Sequence, residues 1–220
     1  MIYKYCDDIV SEKGGEKMSK EICDNRKEEI INACERLYEK KSFKEITIKS
    51  IGEETTFSRP SIYNYFETKE EIFLAILQQE YEKWILELEQ MQRSYETMTK
   101  KQFAENMAHS IEKRQKLLKL LSMNLYDIEE NSRMELLIEF KQVYGKAIRT
   151  IKSCLDKFFK DMQEEEKINF LYSFLPFMYG IYPYAVVTEK QKEAMGQANV
   201  NYKYMSIYEI TYNGIINLFK

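Results

Sequence analysis

The 220-residue sequence predicts an all-helical fold, and three observations carry that expectation. Glycine and proline, which interrupt helices, number only 7 and 3. Charged residues make up 31% of the chain, while 11 Met, 12 Phe and 17 Tyr supply an aromatic-rich interior for long helices. Apolar residues recur at three- and four-residue spacing in segment after segment, the period of a helix with one buried face. The length is ample for a core, either as one large domain or as a small domain joined to a bigger one.

Taken in order, residues 1–23 mix charges of both signs without apolar periodicity and read as a flexible or loosely docked arm. A helix is predicted to open at Asn25, capped with Glu28, and to end near Lys41, with Ile30, Cys34, Leu37 and Tyr38 on one face. Between Thr47 and Phe66 two very short patterned pieces meet at Thr56, Phe57 and Ser58. Thr47 caps the first, and Ile48 and Ile51 face inward. Ser58 caps the second, Pro60 sits in its first turn where a missing N–H costs little, and Ile62 and Phe66 point into the core. A Thr68-x-x-Glu71 capping box then starts a long helix bearing Phe73, Ile76, Leu77, Tyr81, Trp84, Leu88 and Met91 at helical spacing.

Thr99-x-x-Gln102 opens another helix with Phe103, Met107 and Ile111, and the pattern runs to Leu121 with a bend expected between His109 and Lys113. Ser132-x-x-Glu135 opens a long central helix whose expected stripe is Met134, Ile138, Tyr144, Ile148, Ile151, Leu155, Phe158 and Met162. Residues 165–187 are apolar nearly all round, as in a helix buried on several sides. A polar loop from Thr188 to about Tyr202 precedes a last helix with Ile207, Ile210, Ile215 and Leu218.

Several function classes are excluded. The most apolar stretch, Ser173–Val187, is shorter than the ~18–20 residues a membrane span needs and carries Pro176 and Pro183. Asp7, Asp8, Glu12 and Glu16 break up any signal-peptide core, so the expected location is the cytoplasm. Cys6, Cys23, Cys34 and Cys154 are too scattered for a CxxC pair and have no histidine nearby, so reduced thiols are expected and no metal site. His109 is the only histidine, no glycine-rich phosphate loop is present, and no Ser, Cys or carboxylate has a positioned base. Neither an enzyme nor a cofactor is expected. A net charge of −3 argues against indiscriminate polyanion binding, although local cations and helix N-termini can still meet phosphates.

The two short helices joined at a three-residue turn have the layout of a helix-turn-helix. The outward face of the second offers Arg59, Pro60, Ser61 and Asn64. Arg59 can bond a guanine bidentately and Pro60 can touch a thymine methyl in the major groove. The stretch TIKSIGEETTFSRPSIYNYFETKEEIFLAIL, residues 47–77, with its Tyr63-x-Tyr65-Phe66 signature and Lys69-Glu70 helix start, resembles the DNA-binding domain of the TetR family. The resemblance implies that Tyr63 and Lys69 hold phosphates and that Thr47 and Lys49 anchor the first helix. Ser58 and Tyr65 complete the candidate DNA-binding set. Two departures stand out. Thr56 occupies a turn position where the family has Gly, and a β-branched residue resists positive φ, so this turn is expected to be strained or differently folded. Residues 20–70 also hold ten Lys or Arg against eleven Asp or Glu, which is not a basic patch.

The resemblance further implies about nine helices, divided as a helix-turn-helix domain over residues 24–68 and a helical ligand-binding and dimerisation domain over 69–220. It implies a homodimer through the last two long helices, a palindromic double-stranded DNA operator, and a small-molecule effector. Trp84, Phe103, Met107, Tyr126, Phe140, Tyr144, Phe174, Met178 and Tyr182 either wall an apolar cavity for that effector or simply pack a core. The leading expectation is a repressor released by a hydrophobic or aromatic ligand. The alternative is a protein-interaction adaptor that kept the fold and lost operator binding, a reading that Thr56 and the charge balance motivate.

Overall fold

The computed structural model describes residues 13–219 except 57 and 58, with side chains from residue 24 onward except Arg59. Among these residues the chain forms eleven helices: α1 (Lys13–Lys40), α2 (Ile48–Glu53), α3 (Arg59–Ile62), α4 (Lys69–Ser94), α5 (Lys100–Glu112), α6 (Gln115–Met123), α7 (Leu125–Glu130), α8 (Met134–Phe158), α9 (Glu164–Ala185), α10 (Glu189–Gln197) and α11 (Ile207–Leu218). By backbone proximity they form two units. One holds the described residues up to Ile76 together with Tyr126–Ile138; the other holds Leu77–Leu125 and Glu139 onward.

In the first unit, Ile30, Cys34, Leu37 and Tyr38 are buried along α1 as their spacing requires, and Ile48, Ile51, Ile62 and Phe66 join them. The Phe73 ring meets Tyr38 edge-on at 5.0 Å and Phe43 at 4.7 Å. Helix α1 starts at Lys13, so Asn25 lies inside it rather than capping it. A charged run with no apolar stripe can still extend a helix that packing has nucleated downstream. The remainder of the expected arm, residues 1–12, lies outside the described residues.

In the second unit, all of Leu77, Tyr81, Trp84, Leu88 and Met91 are buried along α4. The bend expected after His109 is the break between α5 and α6, where Arg114 is the N-cap of α6. Helix α11 packs against α5 and α9, and α6 also packs against α9. Phe103 on α5 is encircled by Phe158, Phe159, Phe170 and Phe219, with centroids 5.4–6.3 Å away. Gly214 on α11 lies under the Phe177 ring of α9 so closely that a Cβ there would meet it at 2.5 Å. The partly buried Lys167 bonds the Asp156 carboxylate at 2.7 Å and ties α9 to α8. This bond holds Asp156 below the usual carboxylate range.

Four expectations need correction. Ser132 does not cap α8: its hydroxyl donates to the Ile128 carbonyl at 2.7 Å. The buried stripe of α8 runs through Leu136, Phe140, Ala147, Ile151, Cys154, Leu155 and Phe158, so Ile151, Leu155 and Phe158 are buried as expected while Met134 and Ile138 are exposed. Helix α9 is not buried all round. Ile168, Tyr172, Pro176, Pro183 and Tyr184 face outward, and the carbonyls freed by the two prolines belong to this partly open helix. The segment expected as a polar loop also contains α10, set by a Thr188–Gln191 capping box and burying no residue.

Cys34 and Cys154 are buried thiols. Burial pushes the Cys34 pKa up and carries that of Cys154 up to about 12. Thiolate is therefore scarce near neutrality, and only the thiolate is nucleophilic. Both cysteines are expected to resist iodoacetamide at pH 8 in the native protein and to alkylate once denatured, as peptide mapping would report. Rapid native alkylation at either position would contradict this packing.

Candidate nucleic-acid interface

The α2–turn–α3 segment is built by local bonds. Thr47 caps α2: its hydroxyl oxygen accepts the Ser50 N–H at 3.1 Å, and the Ser50 hydroxyl accepts the Thr47 N–H at 3.0 Å. Glu54 ends α2, its carbonyl accepting a bond from the Arg36 guanidinium of α1 at 3.0 Å. The Thr56 N–H then donates to the Glu29 carboxylate, also on α1, at 2.6 Å. Among the described residues only Asn199 combines a side chain with positive φ, at 54°. Thr56 itself thus lacks the left-handed backbone that glycine favours. Two charged side chains of α1 hold Glu54 and Thr56 instead.

Helix α3 is one short turn, prolonged by backbone bonds from Asn64 to Ser61 and from Tyr65 and Phe66 to Ile62. Ile62 and Phe66 are buried, whereas Pro60, Tyr63 and Asn64 are exposed and Ser61 and Tyr65 half-buried. This alternation gives the segment one face for the core and one for a partner. Thr47 and Lys49 are exposed nearby on α2, and Lys49 makes only a long ion pair of 3.9 Å with Glu53. Such exposed pairs contribute little and break readily in favour of a phosphate. Ser58 and the Arg59 side chain lie outside the described residues.

Lys69 is placed otherwise than the resemblance implies. Its ammonium donates to the Phe43 carbonyl at 2.7 Å and the Ile46 carbonyl at 3.1 Å, and it stands 4.3 Å from the Phe43 ring centroid. It clamps the loop before α2. Lys69→Met is therefore expected to destabilise the first unit by about 1–3 kcal/mol, the range for bonds to a charged donor, besides any effect on DNA. Chemical denaturation monitored by circular dichroism checks it; unchanged stability would mean that the clamp is idle.

Sequence reasoning missed Glu29, Arg36 and the Glu71–Arg133 pair. Arg133 Nε bonds the Glu71 carboxylate at 2.6 Å, which raises the guanidinium above its ordinary value. No local pattern announces such pairs, whose members are 27, 18 and 62 positions from their partners.

Of the candidate ligand residues, Trp84, Phe103, Met107, Phe140, Phe174 and Met178 are buried and pack in the second unit. The Trp84 indole N–H donates to the Ser110 hydroxyl at 3.1 Å, and Tyr81 brings Phe140 and Tyr144 within 5.9 and 5.6 Å. Tyr144 and Tyr182 are half-buried, and desolvation raises the Tyr182 pKa. Tyr126 is 80% exposed and groups with the first unit, so it is not part of this cluster. A groove of about 280 Å³ opens beside α4 and α5, lined by Leu88, Met91, Tyr95, His109, Ser110 and Lys113 among others. Among the described residues no three metal-ligating side chains converge, and no single helix is long and apolar enough to cross a membrane.

Comparison with known proteins agrees with this layout. Residues 30–76 match the family of bacterial regulatory proteins, tetR family, and residues 78–206 match the tetracyclin repressor-like C-terminal domain. An uncharacterised HTH-type transcriptional regulator of Bacillus subtilis (strain 168), YfiR, is 39% identical over 62 residues, 28% of this chain and 30% of that protein. The matched part thus spans less than a third of that relative. The solved structure of the fatty acid degradation regulator FadR from Bacillus halodurans shares the fold, with a TM-score of 0.57 at 11% identity over 87% of this chain and 94% of that one. Matches that together run through both units place the chain in the tetR family of bacterial regulatory proteins.

Proposed function

We propose that this protein is a homodimeric repressor that reads a palindromic operator through residues 58–65 and is released by a hydrophobic or aromatic ligand. The observation that carries the reading is the two-faced α3 segment, with Ile62 and Phe66 buried while Pro60, Tyr63 and Asn64 stay exposed. Side chains of this size and polarity suit base edges and phosphates in the major groove, with Thr47 and Lys49 meeting the backbone. Two copies would read half-sites about 34–36 Å apart or a comparable distance. The Thr56 N–H bond to Glu29, with no positive φ at Thr56, weakens one motive for the adaptor alternative.

The outward stripe of α9 and the half-buried Tyr212 and Ile216 of its packed neighbour α11 support pairing with a second copy. An outward row of large apolar side chains is rarely left in water when a second copy can cover it. The aromatic cluster of the second unit supports an apolar effector, with Tyr144 and Tyr182 as its hydrogen-bonding partners. A tenfold release of DNA needs such a ligand to prefer the non-binding state by about 1.4 kcal/mol, and the operator must weaken ligand binding equally.

The test is to select bound duplexes from a random library and then measure Arg59→Ala on the selected sequence. The variant is expected to lose about 1–3 kcal/mol and to relax preference at one base pair per half-site. Unchanged affinity and preference would reject Arg59 as a reader, and a wild-type protein that enriches no sequence would favour the adaptor.

A further inference from the structure

The turn between the reading segment and α4 is held by groups arriving from far along the chain. The Glu71 side chain is fully buried, and its carboxylate accepts four N–H bonds. They come from the Glu67 backbone at 2.7 Å, the Arg133 backbone at 3.2 Å, Arg133 Nε at 2.6 Å and Arg133 Nη2 at 2.8 Å. Nη2 also reaches the Tyr65 carbonyl at 3.3 Å, and Nη1 stands 3.3 Å from the Glu67 carboxylate. Beside them the Thr68 hydroxyl donates to the Asn131 carbonyl at 3.0 Å while accepting the Glu71 N–H at 3.2 Å. Asn131 and Arg133 belong to a segment that groups with the first unit, although the chain before and after it groups with the second.

We propose that Arg133 is a positioning residue for DNA reading: through the Tyr65 carbonyl and the Glu71 carboxylate it fixes the direction in which residues 60–65 present their side chains. This rests on the DNA-reading function proposed above. The planar fork of a guanidinium can bond a carboxylate with two N–H groups and a carbonyl with a further donor direction, which a lysine ammonium cannot reproduce in one plane. Tyr65 ends the turn that carries Tyr63 and Asn64, so the orientation of its peptide is passed to them over one or two residues. A base contact works within a few tenths of an ångström and a narrow angle. Phosphate attraction tolerates much larger displacements. Loss of Arg133 should therefore erode sequence preference while sparing general DNA affinity.

Arg133→Met alone leaves a buried carboxylate unpaired and is expected to destabilise the fold. The informative variant combines it with Glu71→Gln, whose amide oxygen still accepts the Glu67 N–H. Its binding is measured on the duplex that the wild type selects from a random library and on a mixed-sequence duplex of equal length, across a salt series, with melting temperature recorded. The expected result is a loss of about tenfold or more on the selected duplex, within the range of one base contact. The mixed-sequence duplex should be bound as before, with an unchanged salt slope. Arg133→Lys should show the same split. A double variant that keeps wild-type preference overturns the proposal, as does a parallel loss on both duplexes, which a merely structural role would produce. A wild type that prefers no sequence overturns the DNA-reading function itself, and this role with it.

Discussion

Tyr172→Asp is expected to convert the protein to a monomer at micromolar concentration and to lower operator affinity by about 10²–10⁴, the usual gain from engaging two sites at once. Tyr172 is 77% exposed at the middle of the outward α9 stripe, with Ile168 one turn before it and Pro176 one turn after. Gly180, a further turn on, has nothing within 4 Å of where its Cβ would stand, so another helix can approach closely there. A carboxylate introduced into such a seam would be desolvated without a partner, at a cost of several kcal/mol that both copies would bear. Sedimentation velocity reads the outcome directly. A variant that stays dimeric would move the interface elsewhere, and a wild type that sediments as a monomer would remove the dimer altogether.

Trp84→Ala should cost about 3–5 kcal/mol, the range for deleting a large buried ring. The indole is fully buried, stands 6.2 Å from Tyr81 and 6.4 Å from Phe174, and its N–H is satisfied by Ser110. Ser110 in turn donates to the Met107 carbonyl at 2.8 Å, so it retains one bond after the substitution and the loss is chiefly one of packing. For a chain of this size each kcal/mol corresponds to about 2–4 °C, giving a drop in Tm on the order of 10 °C. Thermal melts followed by circular dichroism measure it. A cost below about 1 kcal/mol would mean that the site is loosely packed and would strengthen the case for an effector cavity there.

What the sequence disclosed was whatever is decided within one or two turns of chain. Thr47 and Thr99 form the expected caps because donor and acceptor lie three residues apart. The α4 stripe from Phe73 to Met91 is buried throughout because its spacing admits one helical face only. Periodicity misleads where a helix needs no apolar face, as at the start of α1 and throughout α10, or where two stripes compete. On α8, Met134 and Ile138 share a spacing as regular as that of Leu136 and Phe140, and only the surroundings choose between them. Ser132 failed as a cap because its hydroxyl turns back to the helix before it, donating to the Ile128 carbonyl, which a capping pattern read forward does not reveal. The candidate reading face was legible for the same local reason that α2 and α3 were, while its supports were hidden. Glu29, Arg36 and Arg133 act across 27, 18 and 62 or 68 positions, and Lys69 turned inward to carbonyls that no motif marks.

The grouping of Tyr126–Ile138 with the first unit bears on how the protein can be recombined. A graft that joins residues up to 76 to the sensor half of another regulator would transplant Glu71 without Arg133, stranding a buried carboxylate whose remaining partner in the first unit is the Glu67 amide. Chimeras of this protein must carry two pieces of chain, the residues up to 76 and the 126–138 segment, and natural exchange of the second unit would face the same double crossover.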